Sequence, residues 1–126
     1  MQKNPLNWKA NKLMKALGVD AASQEAFERE KKVGCVRLGI ILFVTENWLH
    51  YDTGFTRALF PLAEIASFRK GYTSSDWRVN FFVELFFKDG GKHKVPCDFE
   101  HLDDLAAVLI ERCPGLEVQR PYSPLF

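Results

Sequence analysis

Along the first third of the chain, apolar residues recur at helical spacing. Leu6, Ala10, Leu13, Met14 and Leu17 fall at offsets of 0, 4, 7, 8 and 11, one face of an α-helix over residues 5–17. Pro5 suits its first turn and Gly18 the position just past its end. A second helix is predicted to start at Asp20 or Ser23, either of which can cap it. It runs through Ala26 and Phe27 to about Lys32 with a thin apolar face.

Past Lys32 the spacing changes to short β-rich runs separated by turn residues. Val36 to Val44 reads as one or two strands, with Gly34 and Gly39 marking a bulge, a bend or a hairpin connection. Trp48 to Asp52 and Thr56 to Phe60 follow as strands around a tight reversal at Thr53-Gly54. Pro61 interrupts, Ile65 to Lys70 resumes, and the polar stretch from Gly71 to Asp76 reads as a loop. The longest strand is Arg78 to Lys88. Its odd positions, Val79, Phe81, Val83, Leu85 and Phe87, are all apolar and are assigned to the core, whereas its even positions alternate polar and aromatic side chains. Asp89-Gly90-Gly91 turns the chain back through Lys92 to Pro96.

A last helix is predicted over 98–113, capped by Asp98, with Phe99, Leu102, Leu105, Ala106, Leu109, Ile110 and Cys113 as its buried stripe. Pro114-Gly115 ends it, and the tail to Phe126 has no periodicity. The organisation expected is a helical extension over 1–32, a main domain over 33–113 and an extended tail over 114–126.

Composition narrows the function classes. With 126 residues the chain is one domain by size. Its net charge of +1 gives no global field for nucleic acid or an anionic surface. That balance is uneven: residues 1–19 carry +4, residues 20–32 carry −1 and the remainder −2. Cys35, Cys97 and Cys113 match no zinc-ribbon or disulfide spacing and are read as free thiols of a reducing compartment. No apolar run approaches the roughly 18–20 residues of a membrane-spanning helix, and no secretory signal is expected, so the predicted location is the cytoplasm.

One stretch carries a family pattern. Phe43-Val44-Thr45-Glu46-Asn47-Trp48-Leu49-His50-Tyr51, then Gly54, then Phe60-Pro61-Leu62-Ala63-Glu64-Ile65, resembles the bacterial PH-like and GRAM-like domains of the pleckstrin-homology superfold. The resemblance covers roughly residues 33–113. It implies an α+β fold: a bent antiparallel sheet or barrel of six or seven strands capped by the C-terminal helix, here preceded by an N-terminal helical extension. The basic pair that many phosphoinositide-binding members carry in their first hairpin has no counterpart here.

Candidate chemistry is sparse. His93, Cys97 and His101 recur every four residues, but Pro96 and Asp98 place them on different elements, so no metal site is expected. A Cys97–His101 pair oriented by Asp98 or Asp104 has no accompanying motif, so no catalytic residues are assigned and the protein is expected to be no enzyme and to hold no cofactor. The 78–88 strand lacks the glycines and basic residues of an RNA-stacking platform, so no nucleic-acid binding is expected.

Two candidate interaction surfaces remain. Phe82 and Phe86, on the mixed face of the long strand, are aromatic surplus of the kind that marks a protein partner or self-association. Lys3, Trp8, Lys9, Lys12 and Lys15 form the basic amphipathic alternative, a peripheral membrane contact into which Leu6, Leu13, Met14 and Leu17 would also insert. The expected role is a binding or assembly module of bacterial type.

Overall fold

The structure, a computed structural model, describes residues 11–75, 77–113 and 115–121. It is α+β, with three helices and eight strands among the described residues, and it divides into two compact units at Glu64/Ile65.

The first unit begins with α1 (Asn11–Ala16) and α2 (Ala21–Val33). Gly18 stops α1 at φ +79°, a conformation that costs glycine little, and the Val19 amide closes the end on the Met14 carbonyl at 2.8 Å. Both predicted caps of α2 act together. The Ser23 amide donates to the Asp20 carboxylate at 3.0 Å, and the Asp20 amide donates to the Ser23 hydroxyl at 3.1 Å.

The four strands β1 (Val36–Leu38), β2 (Leu42–Val44), β3 (Trp48–Asp52) and β4 (Arg57–Pro61) make an antiparallel meander in chain order. Gly39, at φ +71°, marks a hairpin connection between β1 and β2. Register places Leu42, Val44, Leu49, Tyr51, Ala58 and Phe60 on one buried face. The other face carries Phe43, His50 and Leu59, and α2 covers it. The Phe27 ring stacks on His50 with centroids 4.8 Å apart, and the Lys31 ammonium lies 4.7 Å from the Phe43 centroid. The thin apolar face of α2 thus suffices because a single buried Phe anchors it.

After Pro61 the chain leaves the sheet through a 3-10 turn (Leu62–Glu64), the corner that Pro61-Leu62 predicts, and Ile65 turns inward and is buried. The second unit pairs β5 (Ile65–Ser75), β6 (Arg78–Phe87) and β7 (Lys92–Pro96) antiparallel, with β8 (Glu117–Val118) parallel to β5 on its far side. Helix α3 (Leu102–Arg112) packs on β6 with Leu102, Leu105, Ala106 and Leu109 buried.

Four expectations change. The eight strands form two separate four-stranded sheets and not one sheet of six or seven strands closed into a barrel, because the 3-10 turn ends strand pairing between β4 and β5. Residues 71–75 continue β5, since each finds a cross-strand partner in β6. The tail contributes β8. The last helix opens with a 3-10 turn at Phe99–His101 and no side-chain cap from Asp98, which takes Phe99 out of the α-helical stripe, while Ile110 lies at the margin of that stripe, and both are exposed.

Candidate functional site

The predicted catalytic and metal-binding residues are dispersed. His93 lies on β7 opposite Leu85, Cys97 is buried beyond the end of that strand, and His101 closes the 3-10 turn. Burial, reinforced by the Asp98 and Asp104 charges, pushes the Cys97 thiol up to about 12, the wrong direction for a nucleophile. Among the described residues the fold gathers the donor atoms of Asp98, Glu100 and His101 within 4.8 Å of one another. Both carboxylates are exposed, and the His101 Nδ1 to Asp98 Oδ2 distance of 3.9 Å is too long for a hydrogen bond.

On β6 both faces are occupied. Val83, Leu85 and Phe87 are buried on the odd face as the alternation predicts, while Val79 lies half exposed beyond it. On the even face Phe82 is only 7% exposed and Phe86 half-buried, with Glu84 buried between them. Cross-strand cations explain the arrangement. Arg69 on β5 and Lys94 on β7 stand directly opposite Glu84. The Arg69 Nε reaches the Glu84 carboxylate at 3.4 Å and its guanidinium lies 5.3 Å from the Phe86 centroid, while the Lys94 ammonium lies 4.9 Å from that of Phe82. The aromatic surplus is therefore a packed row roofed by long basic side chains, whose aliphatic stems cover ring surface.

Exposed apolar surface lies elsewhere on this unit. Beyond Phe82, β5 and β6 continue as a two-stranded arm, Thr73 opposite Asn80, Ser74 opposite Val79 and Ser75 opposite Arg78. Trp77 at its tip is 89% exposed and Val79 is 50% exposed. At its base the Tyr72, Phe81 and Phe99 rings form a chain, with centroid separations of 6.0 and 5.0 Å, and Phe99 opens to solvent. Reading 71–76 as a loop hid this arm. The signal for it was present, since Tyr72-Thr73 is β-favouring and the alternation of β6 reaches back to Val79.

In the first unit Lys12 and Lys15 are exposed, Leu13 and Leu17 are half-buried and Met14 is wholly buried. Met14 belongs to the core of that unit and is unavailable for insertion into a bilayer. Lys3, Trp8 and Lys9 lie outside the described residues, as does Leu6. The β1–β2 and β3–β4 turns fall at the same end of the meander, joined where the Asp52 amide donates to the Ile41 carbonyl at 2.9 Å. Each exposes one large apolar side chain, Ile40 and Phe55. Gly54 makes the second turn tight at φ +91°, its amide donating to the Asp52 carboxylate at 2.8 Å.

No protein-family model matches the chain, and no curated protein matches it in sequence. No helix among the described residues is long and apolar enough to cross a membrane.

Proposed function

We propose that the protein is a non-catalytic binding or assembly module of the pleckstrin-homology type that works through protein–protein contact. The chain order of an antiparallel meander, a further set of antiparallel strands and then a helix supports the family reading, together with the Thr45-Glu46 to Ile65 pattern now placed on β2 to β5. The observation that carries the binding role is the β5–β6 arm. A two-stranded ribbon standing alone in water is marginal, and this one ends in an almost fully exposed Trp, the residue type most enriched at interface anchors.

The test is capture from a lysate of the source organism by the tagged full chain and by its Trp77→Ser variant. The expected result is a defined set of captured proteins, untagged copies of the chain included, that the variant loses. Capture indifferent to Trp77 removes the arm as the binding surface.

A second reading, peripheral membrane contact, draws on the exposed Lys12 and Lys15 and on Ile40 and Phe55 at one end of the first sheet. Co-sedimentation with anionic vesicles at low salt tests it, and no binding there removes it.

A further inference from the structure

We infer that the chain pairs with a second copy of itself through the apolar face of the β5–β6 arm, the two arms lying antiparallel so that Trp77 of each copy packs on Phe99 of the other. The inference deepens the assembly reading and rests on it.

The arm has one apolar face. Register sets Val79 opposite Ser74 and Phe81 opposite Tyr72, on the side of the ribbon where the Phe81 and Phe99 ring centroids lie 5.0 Å apart. The Cys97 amide donates to the Phe81 carbonyl at 3.1 Å, so the segment that carries Phe99 is bonded to the base of the arm. Tyr72 and Phe81 are half-buried there. The open positions are Trp77 at the tip, Val79 midway and Phe99 at the base, which are 89%, 50% and 63% exposed. A two-stranded ribbon with such a face gains stability when a partner covers it.

The occupant follows from spacing, hydrogen bonding and charge. Trp77 and Phe81 are four residues apart, about 13 Å along a strand. Two arms laid face to face and antiparallel about a two-fold axis at Val79 therefore bring each tip to the other's base, the self-matching arrangement of a two-fold interface. An indole N–H needs an acceptor once it is buried, and Phe99 stands between the exposed carboxylates of Asp98 and Glu100. Charge selects the direction. Parallel arms would set the acidic base of one copy against that of the other, whereas antiparallel arms set it against a tip whose two charges, Asp76 and Arg78, cancel. Two Trp, two Phe and two Val side chains bury at most about 1,200 Å² in total, the weak and transient class of interface, so the dimer is a concentration-dependent one.

Sedimentation of the purified full chain over a concentration series tests the pairing. The weight-average mass is expected to rise from monomer toward dimer. Trp77→Ser and Phe99→Ser, at opposite ends of the arm, are each expected to move that rise to at least about tenfold higher concentration, with an unchanged circular dichroism spectrum. Val79→Cys is expected to be linked between copies by a short bismaleimide, because facing sheets pack about 10 Å apart. Asn80→Cys, on the other face of the arm, is expected to give no more linkage than wild type with its three native cysteines.

A chain that stays monomeric to about 1 mM overturns the inference. A dimer indifferent to both serine substitutions overturns it as well, as does one linked through Asn80→Cys in place of Val79→Cys. If the chain is monomeric yet still captures lysate proteins through Trp77, the occupant is another protein and only the self-pairing falls. Without capture or self-association, the assembly reading falls with it.

Discussion

Glu30 on α2 and Asn47 in the β2–β3 turn are joined by two hydrogen bonds, the Asn47 amide donating to Glu30 Oε1 at 2.9 Å and its Nδ2 donating to Oε2 at 2.8 Å. The Thr45 hydroxyl adds a third at 2.8 Å to Oε1 and in turn accepts from the Trp48 amide at 3.2 Å. One carboxylate thus ties the N-terminal helix to the turn at the far end of the sheet from Ile40 and Phe55. Burial works to raise its pKa, but the hydrogen bonds from Asn47 and Thr45 outweigh it and hold Glu30 below the usual carboxylate value.

Removing that tie is expected to loosen α2 from the sheet. Glu30→Ala should cost about 1–2 kcal/mol, since the stranded donors can turn to water, and Glu30→Gln, which keeps one acceptor, about half as much. The check is the urea midpoint of each variant at constant m. A Glu30→Ala midpoint equal to that of wild type would show the clamp to be idle.

Stability is expected to fall with acid because of His50. Burial is the largest influence on it, and Lys31 and Arg57 act in the same sense while Asp52 opposes them, so its pKa drops from 6.5 to about 4. Between those values the unfolded chain takes up a proton that the folded chain refuses, so the contribution is complete above pH 6.5 and is lost as pH falls toward 4. By pH 5 the loss should reach about 2 kcal/mol. His50→Phe, which keeps a ring against Phe27, should flatten the profile between pH 7 and 5, measured by denaturant titration at each pH.

The Arg69–Glu84 pair calls for a double-mutant cycle. Arg69→Met removes the cation 3.4 Å from the buried Glu84 carboxylate and is expected to cost about 2–3 kcal/mol, with Glu84→Leu costing less because Arg69 is partly exposed. The double variant should be more stable than Arg69→Met, since an apolar pair suits the space between Phe82 and Phe86. Additive losses would contradict the coupling.

Thiol labelling should separate the three cysteines. Cys97 and Cys113 are buried and their pKa values are raised, whereas Cys35 is half-exposed. Iodoacetamide at pH 8 is expected to modify Cys35 first in native protein, and the other two only at the rate of unfolding. Mass spectrometry of partially labelled protein decides the order, and early modification of Cys97 would contradict its burial.

Features that depend on neighbours in sequence were legible in the chain itself. The capping of α2 by Asp20 and Ser23, the turns at Gly18, Gly39 and Gly54, the corner at Pro61-Leu62 and the buried stripe of Leu102, Leu105, Ala106 and Leu109 all follow from local backbone preference and side-chain periodicity. Even the odd-face burial of Val83, Leu85 and Phe87 is a matter of counting by two.

What lay beyond sequence reading depends on residues brought together from a distance. Phe82 and Phe86 look like surplus until Arg69 and Lys94, from two other strands, are laid across them. Glu30 reads as one more solvated carboxylate on α2 until the turn fifteen to seventeen residues later closes on it. Residues 71–75 read as a loop because Ser and Gly disfavour strands in isolation, and pairing with β6 overrode that preference. Local rules determined where the elements begin and turn. Only the tertiary structure decided which of their faces are covered and which strands pair, because burial and strand pairing are properties of the partner as much as of the residue.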